Sequence, residues 1–261
     1  MNTLTASLKM LVFALTTLCL IPFQAIIIIF HKGRGAYIIP YIWQNLTCCI
    51  FRIKHEIIGE PIKNKQTIYV SNHISYLDIP LIGSTLKASF VAKSEVASWP
   101  VFGYLSKLQQ TAFISRSSTD VRKGTNLLNT MLNEGKSLII FPEGTSTEGT
   151  EVIPFKSSLF SVITNSEVKN LTIQPMTLSM KTVNGSFPEN QNERDIYAWH
   201  RNMDTSLASH LWRFAKGKGA IITLSFHPPI NTKKFSDRKT LAKECHSTVS
   251  NGLKFLQERE K

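Results

Sequence analysis

The sequence predicts an α/β fold in which helices cover one sheet, preceded by an apolar N-terminal segment. Five short apolar runs have the length of buried strands and lie at residues 66–70, 88–92, 137–141, 171–176 and 220–226. Amphipathic helical patterns lie between some of these runs, at residues 119–134 and 204–215, and a closing helix is expected at residues 236–261. Strands that alternate with helices are typical of a layered α/β domain.

Composition limits the class of protein. The chain has 261 residues, of which 43% are hydrophobic and 18% are charged. This balance excludes a disordered chain and a polytopic membrane protein, and the length predicts one main domain. Thirty Lys and Arg residues against eighteen Asp and Glu give a net charge of +12. An anionic partner is therefore expected, either nucleic acid or an anionic membrane surface.

The N-terminal segment predicts membrane attachment. Residues 10–30 contain no charge and are long enough as a helix to cross a hydrocarbon core of about 30 Å. Pro22 and Gln24 interrupt this run, so a kinked spanning helix and a helix lying in the interface both remain open. Residues 37–53 are also apolar, and two helices lying against one leaflet would explain both segments. We therefore assign residues 1–60 to membrane-anchoring helices and residues 61–261 to the main domain.

Charge around this segment predicts its orientation. The chain through residue 66 carries seven basic and two acidic side chains, and most of the basic ones follow the first apolar run. By the positive-inside rule, the main domain is expected at the membrane on the cytoplasmic side.

Several familiar catalytic sites are missing from the sequence. The four cysteines form no CxxC and no Cys/His pair at zinc-ligand spacing, and no HExxH helix is present. A GxSxG nucleophile elbow is also absent. The sequence thus predicts neither a metal site nor a serine hydrolase.

The most informative stretch, SNHISYLDIP at residues 71–80, follows the run at residues 66–70. His73 is a candidate base near neutral pH, and Asp78 could orient it. Five steps along a regular helix separate two side chains by about 140°, so this pair meets only if His73 lies in a loop and a helix begins between them. Ser75 and Asp78 fit a capping box at such a start. The alternative is that Asp78 is only a cap and His73 only a loop residue.

A second cluster, PEGTST at residues 142–147, follows the strand expected to end at Phe141. Backbone N–H groups in this turn, which contains Gly144 and Thr145, could hold an anionic oxygen, and Glu143 could accept a hydroxyl hydrogen bond. An ordinary turn with a surface glutamate is the alternative.

Two further positions stand out. Arg116 suits forked recognition of phosphate, although a lone arginine at a strand end is more often a solvated charge. Pro175 interrupts an expected strand and so predicts an edge or a bend.

Together and in this order, these blocks resemble the glycerolipid acyltransferase family of the lysophosphatidate (1-acyl-sn-glycerol-3-phosphate) acyltransferase type. The resemblance consists of NHxSxxD at residues 72–78, F-x-x-R at residues 113–116, FPEGT at residues 141–145 and a Pro-containing strand at residues 173–175. It covers about residues 68–229. It implies a mixed sheet flanked by helices, as in glycerol-3-phosphate acyltransferases, and makes residues 61–261 an acyltransferase domain.

The resemblance also implies a mechanism. His73 removes a proton from the acceptor hydroxyl, Asp78 holds the imidazole, and the hydroxyl attacks an acyl thioester directly. Arg116, Glu143 and Gly144 match acceptor-binding positions of the family. The donor would be acyl-CoA or acyl carrier protein, with no cofactor and no metal. The product would be phosphatidate, made from 1-acyl-sn-glycerol-3-phosphate in phospholipid biosynthesis, with membrane lipids as partners.

One departure leaves the acceptor open. Many members continue FPEGT with Arg-Ser, where the arginine helps to hold the acceptor phosphate, but this chain has Ser146-Thr147. Either Lys156 or Arg116 compensates, or the acceptor is a different lysolipid such as a lyso-ornithine lipid. A non-catalytic membrane lipid-binding protein is the alternative from another class. Nucleic-acid binding has only the net charge in its favour and is not expected.

Overall fold

The computed structural model describes residues 2–31, 33–115, 121–164, 171–232, 235 and 237–260. The helices are α1 (Thr3–Phe30), α2 (Ile38–Phe51), α3 (Asp78–Gly83), α4 (Phe102–Leu108), α5 (Val121–Asn133), α6 (Ser161–Thr164), α7 (Gln191–Arg194), α8 (Leu207–Ala215) and α9 (Arg238–Glu260). The strands are β1 (Ile53–Ile58), β2 (Thr67–Ser71), β3 (Ser89–Lys93), β4 (Ala112–Ile114), β5 (Leu138–Ile140), β6 (Thr172–Val183) and β7 (Ala220–Phe226).

Within the described residues, seven strands form one mixed sheet in the order β1-β7-β6-β2-β5-β3-β4. The β6–β7 pair is antiparallel and the other neighbouring strands are parallel. The predicted mixed sheet with flanking helices is therefore confirmed. Because β2 and β5 are parallel neighbours, with Val70 opposite Ile140, the loops that follow them emerge at the same edge. This edge brings the two most informative sequence blocks together.

Side chains of the central strands alternate between two cores. Ile68 and Val70 of β2 pack with Ile140 in the cluster that α9 covers. Tyr69 and Ile139 point to the opposite face and join the cluster that contains Leu81 of α3. Both faces of β2 are buried, which explains why it reads as a continuous apolar run.

The predicted boundary at residue 60 divides the chain at the wrong place. β1 lies within the segment assigned to anchoring helices, yet it pairs in parallel with β7 along its whole length, from Ile53 opposite Ala220 to Ile58 opposite Ser225. Only Arg52 separates the strand from α2, and after Ile53 the polar residues Lys54, His55 and Glu56 interrupt the apolar pattern expected of a strand. The sequence pattern therefore hid the change from helix to strand.

Pro175 was expected at an edge of the sheet or at a bend, and the prediction of an edge strand is wrong. It lies in β6, which has β2 on one side and β7 on the other. The carbonyl of Pro175 accepts the His227 N–H at 3.0 Å. A residue's N–H and C=O point to the same side of a strand, so the missing N–H faces the region beyond Phe226, the last paired residue of β7. The His227 carbonyl, which an N–H at this position would otherwise reach, instead accepts the side-chain amide of Gln174 at 3.1 Å.

α1 exposes a broad apolar face, whereas three of its four buried residues are polar. Its buried residues are Ala6, Lys9, Thr17 and Gln24. Lys9 donates to the carbonyls of Ala215 and Gly217 at 2.9 and 3.1 Å, at the end of α8. The exposed face carries Leu4, Leu8, Leu11, Leu15, Leu18, Phe23, Ile26, Ile29 and Phe30.

This reversed pattern indicates membrane association, because water would favour the opposite arrangement. Among the described residues, α1 is the one helix long and apolar enough to cross a membrane. α2 has 14 residues, or about 21 Å of helix, which is too short to cross. It packs against α1 and α3 and adds the exposed Ile38, Ile42 and Leu46 to the same kind of surface.

Candidate active site

His73 and Asp78 meet at the end of β2. His73 lies in the loop after the strand, and α3 begins at Asp78, as the spacing required. Nδ1 of His73 lies 2.8 Å from Oδ2 of Asp78. Since a carboxylate only accepts, Nδ1 donates and Nε2 is left as the basic nitrogen of the neutral ring.

The Asp78 carboxylate is fully buried and holds the loop as well as the ring. Its Oδ2 also accepts the N–H groups of Ile74 at 2.7 Å and Ser75 at 3.0 Å. Its Oδ1 accepts the hydroxyl of Tyr197 at 3.0 Å. The expected capping box is only half formed: Asp78 accepts the Ser75 N–H, whereas Ser75 Oγ has no hydrogen-bond partner within the described residues.

The His73 ring faces a cavity. It stacks on Phe141 with 4.1 Å between ring centroids and 15° between the planes. Its side chain is 20% exposed, and no hydrogen bond to Nε2 is made within the described part of the chain. A proton acceptor in this position is accessible to a substrate hydroxyl.

This cavity has a volume of about 530 Å³ and a largely apolar lining that reaches from His73 to the N-terminal helices. The lining includes Thr17 and Gln24 of α1, Trp43 of α2, Phe90 of β3 and Leu211 of α8. An apolar cavity that begins at a base and ends beside the outward-facing apolar helix suits a hydrocarbon chain.

Glu143 was predicted to bind substrate, and the structure places it elsewhere. Its side chain is buried, with 1% exposed. One carboxyl oxygen accepts the His73 N–H at 2.7 Å and the other accepts the Ile153 N–H at 3.0 Å. Burial raises the pKa of Glu143 to about 8, while the two backbone donors oppose this shift. Glu143 therefore joins two loops beneath the site, because the loop after β5 turns back toward β2 instead of toward solvent.

The turn after β5 supplies the other predicted positions. Gly144, with a positive φ of 68°, and Thr145 line the cavity. Lys156 lies against Gly144, since a Cβ there would come within 2.7 Å of its Nζ. The predicted Arg116 lies outside the described residues.

Three contacts from the segment after α7 were not predicted from the sequence. The backbone N–H of Trp199 donates to the Ile74 carbonyl at 3.1 Å, and the backbone carbonyl of Trp199 accepts the Ser146 hydroxyl at 2.6 Å. Tyr197 reaches Asp78, as described above. No local pattern predicts these contacts, because they join positions more than fifty residues apart.

Tyr76, in the same loop as His73, also lines the cavity. Its hydroxyl lies 2.9 Å from Nδ1 of His210, whose Nε2 lies 3.0 Å from the Asp195 carbonyl. Burial lowers the pKa of His210 to about 4. The neutral imidazole therefore accepts from Tyr76 and donates to Asp195, and the tyrosine ring is fixed at the cavity wall.

The described residues contain no group of three or more His, Cys, Asp or Glu side chains that could hold a metal ion. The polar groups gathered at the sheet edge are the His73 imidazole, its carboxylate partner Asp78 and the buried Glu143. This set suits proton transfer to and from an acceptor hydroxyl.

Comparisons with known proteins agree with this chemistry. A sequence model of the family described as Acyltransferase matches residues 52–179. The chain is 35% identical over 226 residues to a lyso-ornithine lipid O-acyltransferase of Rhodobacter capsulatus, covering 85% of this chain and 78% of that protein. It is 28% identical to a 1-acyl-sn-glycerol-3-phosphate acyltransferase of Neisseria gonorrhoeae, covering 70% and 67%.

A similar fold occurs in a solved structure. The 1-acyl-sn-glycerophosphate acyltransferase PlsC of Thermotoga maritima superposes with a TM-score of 0.68 at 20% identity, over 98% of each chain. At this identity the match supports the fold only.

Proposed function

We propose that this chain, which belongs to the acyltransferase family and is an O-acyltransferase acting on lysolipids, takes a lyso-ornithine lipid as its acceptor. The observation that carries this choice is the similarity to the Rhodobacter capsulatus enzyme, at 35% identity over 85% of the chain. A Pseudomonas aeruginosa enzyme of the same name is 30% identical over 79% of the chain.

The residues after the FPEGT block support the same acceptor. Ser146 and Thr147 occupy the place where many family members have Arg-Ser. The Ser146 hydroxyl donates to the Trp199 carbonyl and the Thr147 N–H donates to the His73 carbonyl. These groups hold the loop together and add no cation for a phosphate. An acceptor without a phosphate, such as a lyso-ornithine lipid, does not require one.

The second candidate acceptor is 1-acyl-sn-glycerol-3-phosphate, which would give phosphatidate. Two cations favour it, namely Lys156 against Gly144 and Arg201, which lines the cavity. Cations at this position would suit a phosphate dianion. The two acceptors therefore differ in how much they should depend on Lys156.

The proposed reaction begins at His73 Nε2, which takes the proton of the acceptor hydroxyl as its oxygen attacks the thioester carbonyl. The C–O bond forms, the C–S bond breaks, and the leaving thiolate receives the proton from the imidazolium. Asp78 stabilises that imidazolium and keeps the ring oriented. The acyl chain lies in the apolar cavity, and the donor is acyl-CoA or acyl carrier protein. No cofactor or metal takes part in these steps.

A non-catalytic lipid-binding protein would not require His73, Asp78 and Glu143 to share one cleft edge. Instead, Asp78 holds the His73 ring, Glu143 holds its backbone and the ring faces the cavity. We further propose that α1 and α2 attach the domain to the cytoplasmic side of a membrane, since basic residues follow α1.

A product assay tests the acceptor. The full chain in detergent is offered lyso-ornithine lipid and 1-acyl-sn-glycerol-3-phosphate in separate reactions, each with acyl-CoA and with acyl carrier protein. Esterified ornithine lipid should form at least about tenfold faster than phosphatidate, a difference of about 1.4 kcal/mol in activation free energy. Faster formation of phosphatidate, together with its loss in Lys156→Ala, would assign the second acceptor.

A further inference from the structure

Tyr197 lies beyond residues 52–179, the part of the chain that matches the family model. Its side chain is fully buried, and its ring packs edge-on against Phe214 of α8 with 6.1 Å between centroids. Its hydroxyl lies 3.0 Å from Oδ1 of Asp78, across 119 positions of sequence. The segment after α7 therefore places a hydroxyl against the Asp78 oxygen that does not contact His73.

The two oxygens of Asp78 are used unequally. Oδ2 accepts from His73, Ile74 and Ser75. Within the described residues, Oδ1 accepts only from Tyr197. A carboxylate oriented from one oxygen can still rotate about its Cβ–Cγ bond, whereas donors on both oxygens fix its plane.

Tyr197 is suited to the role of a permanent donor. Burial, and then the negative charge of Asp78, raise the pKa of Tyr197 well above its ordinary value. The hydroxyl therefore keeps its proton and always donates to the carboxylate.

The backbone beside Tyr197 is fixed by the same neighbours. Trp199, two residues on, donates its N–H to Ile74 and accepts the Ser146 hydroxyl. Residues 197–199 thus contact both loops at the sheet edge, at Ile74 and Ser146, and the Tyr197 ring cannot shift independently of them.

We infer that Tyr197 is a positioning residue, whose hydroxyl fixes the plane of the Asp78 carboxylate and so aims the basic nitrogen of His73 into the cavity. This inference rests on the proposed function, since it assumes that His73 is the base. Tyr197 itself does not line the cavity.

The test compares Tyr197→Phe with Tyr37→Phe in the full chain. Tyr37 is a suitable control because it is also buried, its hydroxyl also makes a buried hydrogen bond, to Ser89 at 2.6 Å, and it does not line the cavity. Tyr197→Phe should lower kcat about tenfold and leave the KM for both substrates within about twofold, the size expected for a lost bond to a charged group. Tyr37→Phe should keep the wild-type kcat. Tm is measured for both variants.

A second readout is independent of the acceptor. In protein labelled with 15N at its seven histidines, the signal of the His73 Nδ1 proton is assigned as the one missing in His73→Ala. This signal should keep its position in Tyr37→Phe and shift or broaden in Tyr197→Phe.

An unchanged kcat in Tyr197→Phe, or equal losses of kcat in both tyrosine variants, would overturn the inference, as would an unmoved His73 signal. Other results would contradict the proposed function. If the wild type esterifies no lysolipid, or if His73→Ala retains activity, the reaction is wrong even where the Tyr197→Phe spectrum changes as expected.

Discussion

Buried polar side chains occur both in α1 and at the edge of the sheet where β2 and β5 end, but those of α1 hold the helix against the domain and those of the sheet edge orient His73. In α1, Lys9 and Gln24 donate to carbonyls of distant elements, at Ala215 and Leu108, and so dock a helix whose apolar face points outward. At the sheet edge, Asp78 accepts local N–H groups and thereby orients His73. The exposed apolar face of α1 and the His73–Asp78 pair share no residue, so mutations there should separate attachment from chemistry.

The largest effect is expected at the sheet edge. His73→Ala removes the proposed base and should lower the rate of acyl transfer by about 10² to 10⁴-fold. Binding to lipid vesicles should not change, because His73 lies in the loop after β2 and is not part of the exposed face of α1. Transfer and vesicle flotation are measured on the same preparation, and wild-type turnover in the variant would contradict the mechanism.

The next effect is expected on α1. Leu15→Asp places a charge on its outward face, where the side chain is 58% exposed. A charge in hydrocarbon costs about 2.5–3.5 kcal/mol, so vesicle binding should weaken roughly 100-fold. Activity on detergent-dispersed substrate should be retained.

Phe255→Asp on α9 is the matched control for Leu15→Asp, since Phe255 is 60% exposed but stands on a helix that buries its apolar face. It should bind vesicles as the wild type does. Equal losses in the two variants would mean that α1 has no special part in attachment.

A smaller effect on activity is expected for Glu143→Gln. Gln keeps the shape but offers only one acceptor, so either the His73 or the Ile153 N–H loses its partner. One unsatisfied buried N–H costs about 1–3 kcal/mol, and a partial loss of loop position should lower kcat about tenfold. Vesicle flotation should stay unchanged, and an unaltered kcat would show that Glu143 does not hold the His73 loop.

The last prediction concerns stability and not activity or attachment, and is a dependence of stability on pH that also belongs to the sheet edge. The pKa of Glu143 is raised by burial from 4.5 to about 8. Between these values the unfolded chain releases a proton that the folded chain keeps, so stability falls as pH rises, by up to about 1.4 kcal/mol per pH unit. Below 4.5 and above about 8 this group contributes no slope.

Thermal unfolding of the wild type and Glu143→Gln across this pH range measures the effect. The Tm difference between them should change in favour of the variant as pH rises. A constant difference would contradict the raised pKa of Glu143.

Much of the sheet edge could be predicted from the sequence. The five-residue spacing of His73 and Asp78 required a loop followed by a helix start, and α3 does begin at Asp78. The apolar runs gave β2, β3, β5 and β7 to within one or two residues, because strands buried on both faces have continuous apolar sequence. The order of the strands was not predicted, because it depends on pairing between segments that are distant in sequence.

The rest depends on contacts that no local pattern encodes. Glu143 points inward because His73 and Ile153 offer it two backbone donors, and sequence spacing cannot distinguish this orientation from a turn facing solvent. β1 was missed because Lys54, His55 and Glu56 give it no apolar run. The polar residues of α1 gave no inward signal either, since Gln24 was interpreted only as an interruption of an apolar run.

The contacts that dock α1 can form only late in synthesis of the chain. Lys9 donates to carbonyls that lie 206 and 208 positions further along the chain. At about 5–20 residues per second, a ribosome needs roughly 10–40 s to make them. Throughout that interval α1 lacks these polar contacts, so we expect lipid or a chaperone to cover its apolar face during synthesis.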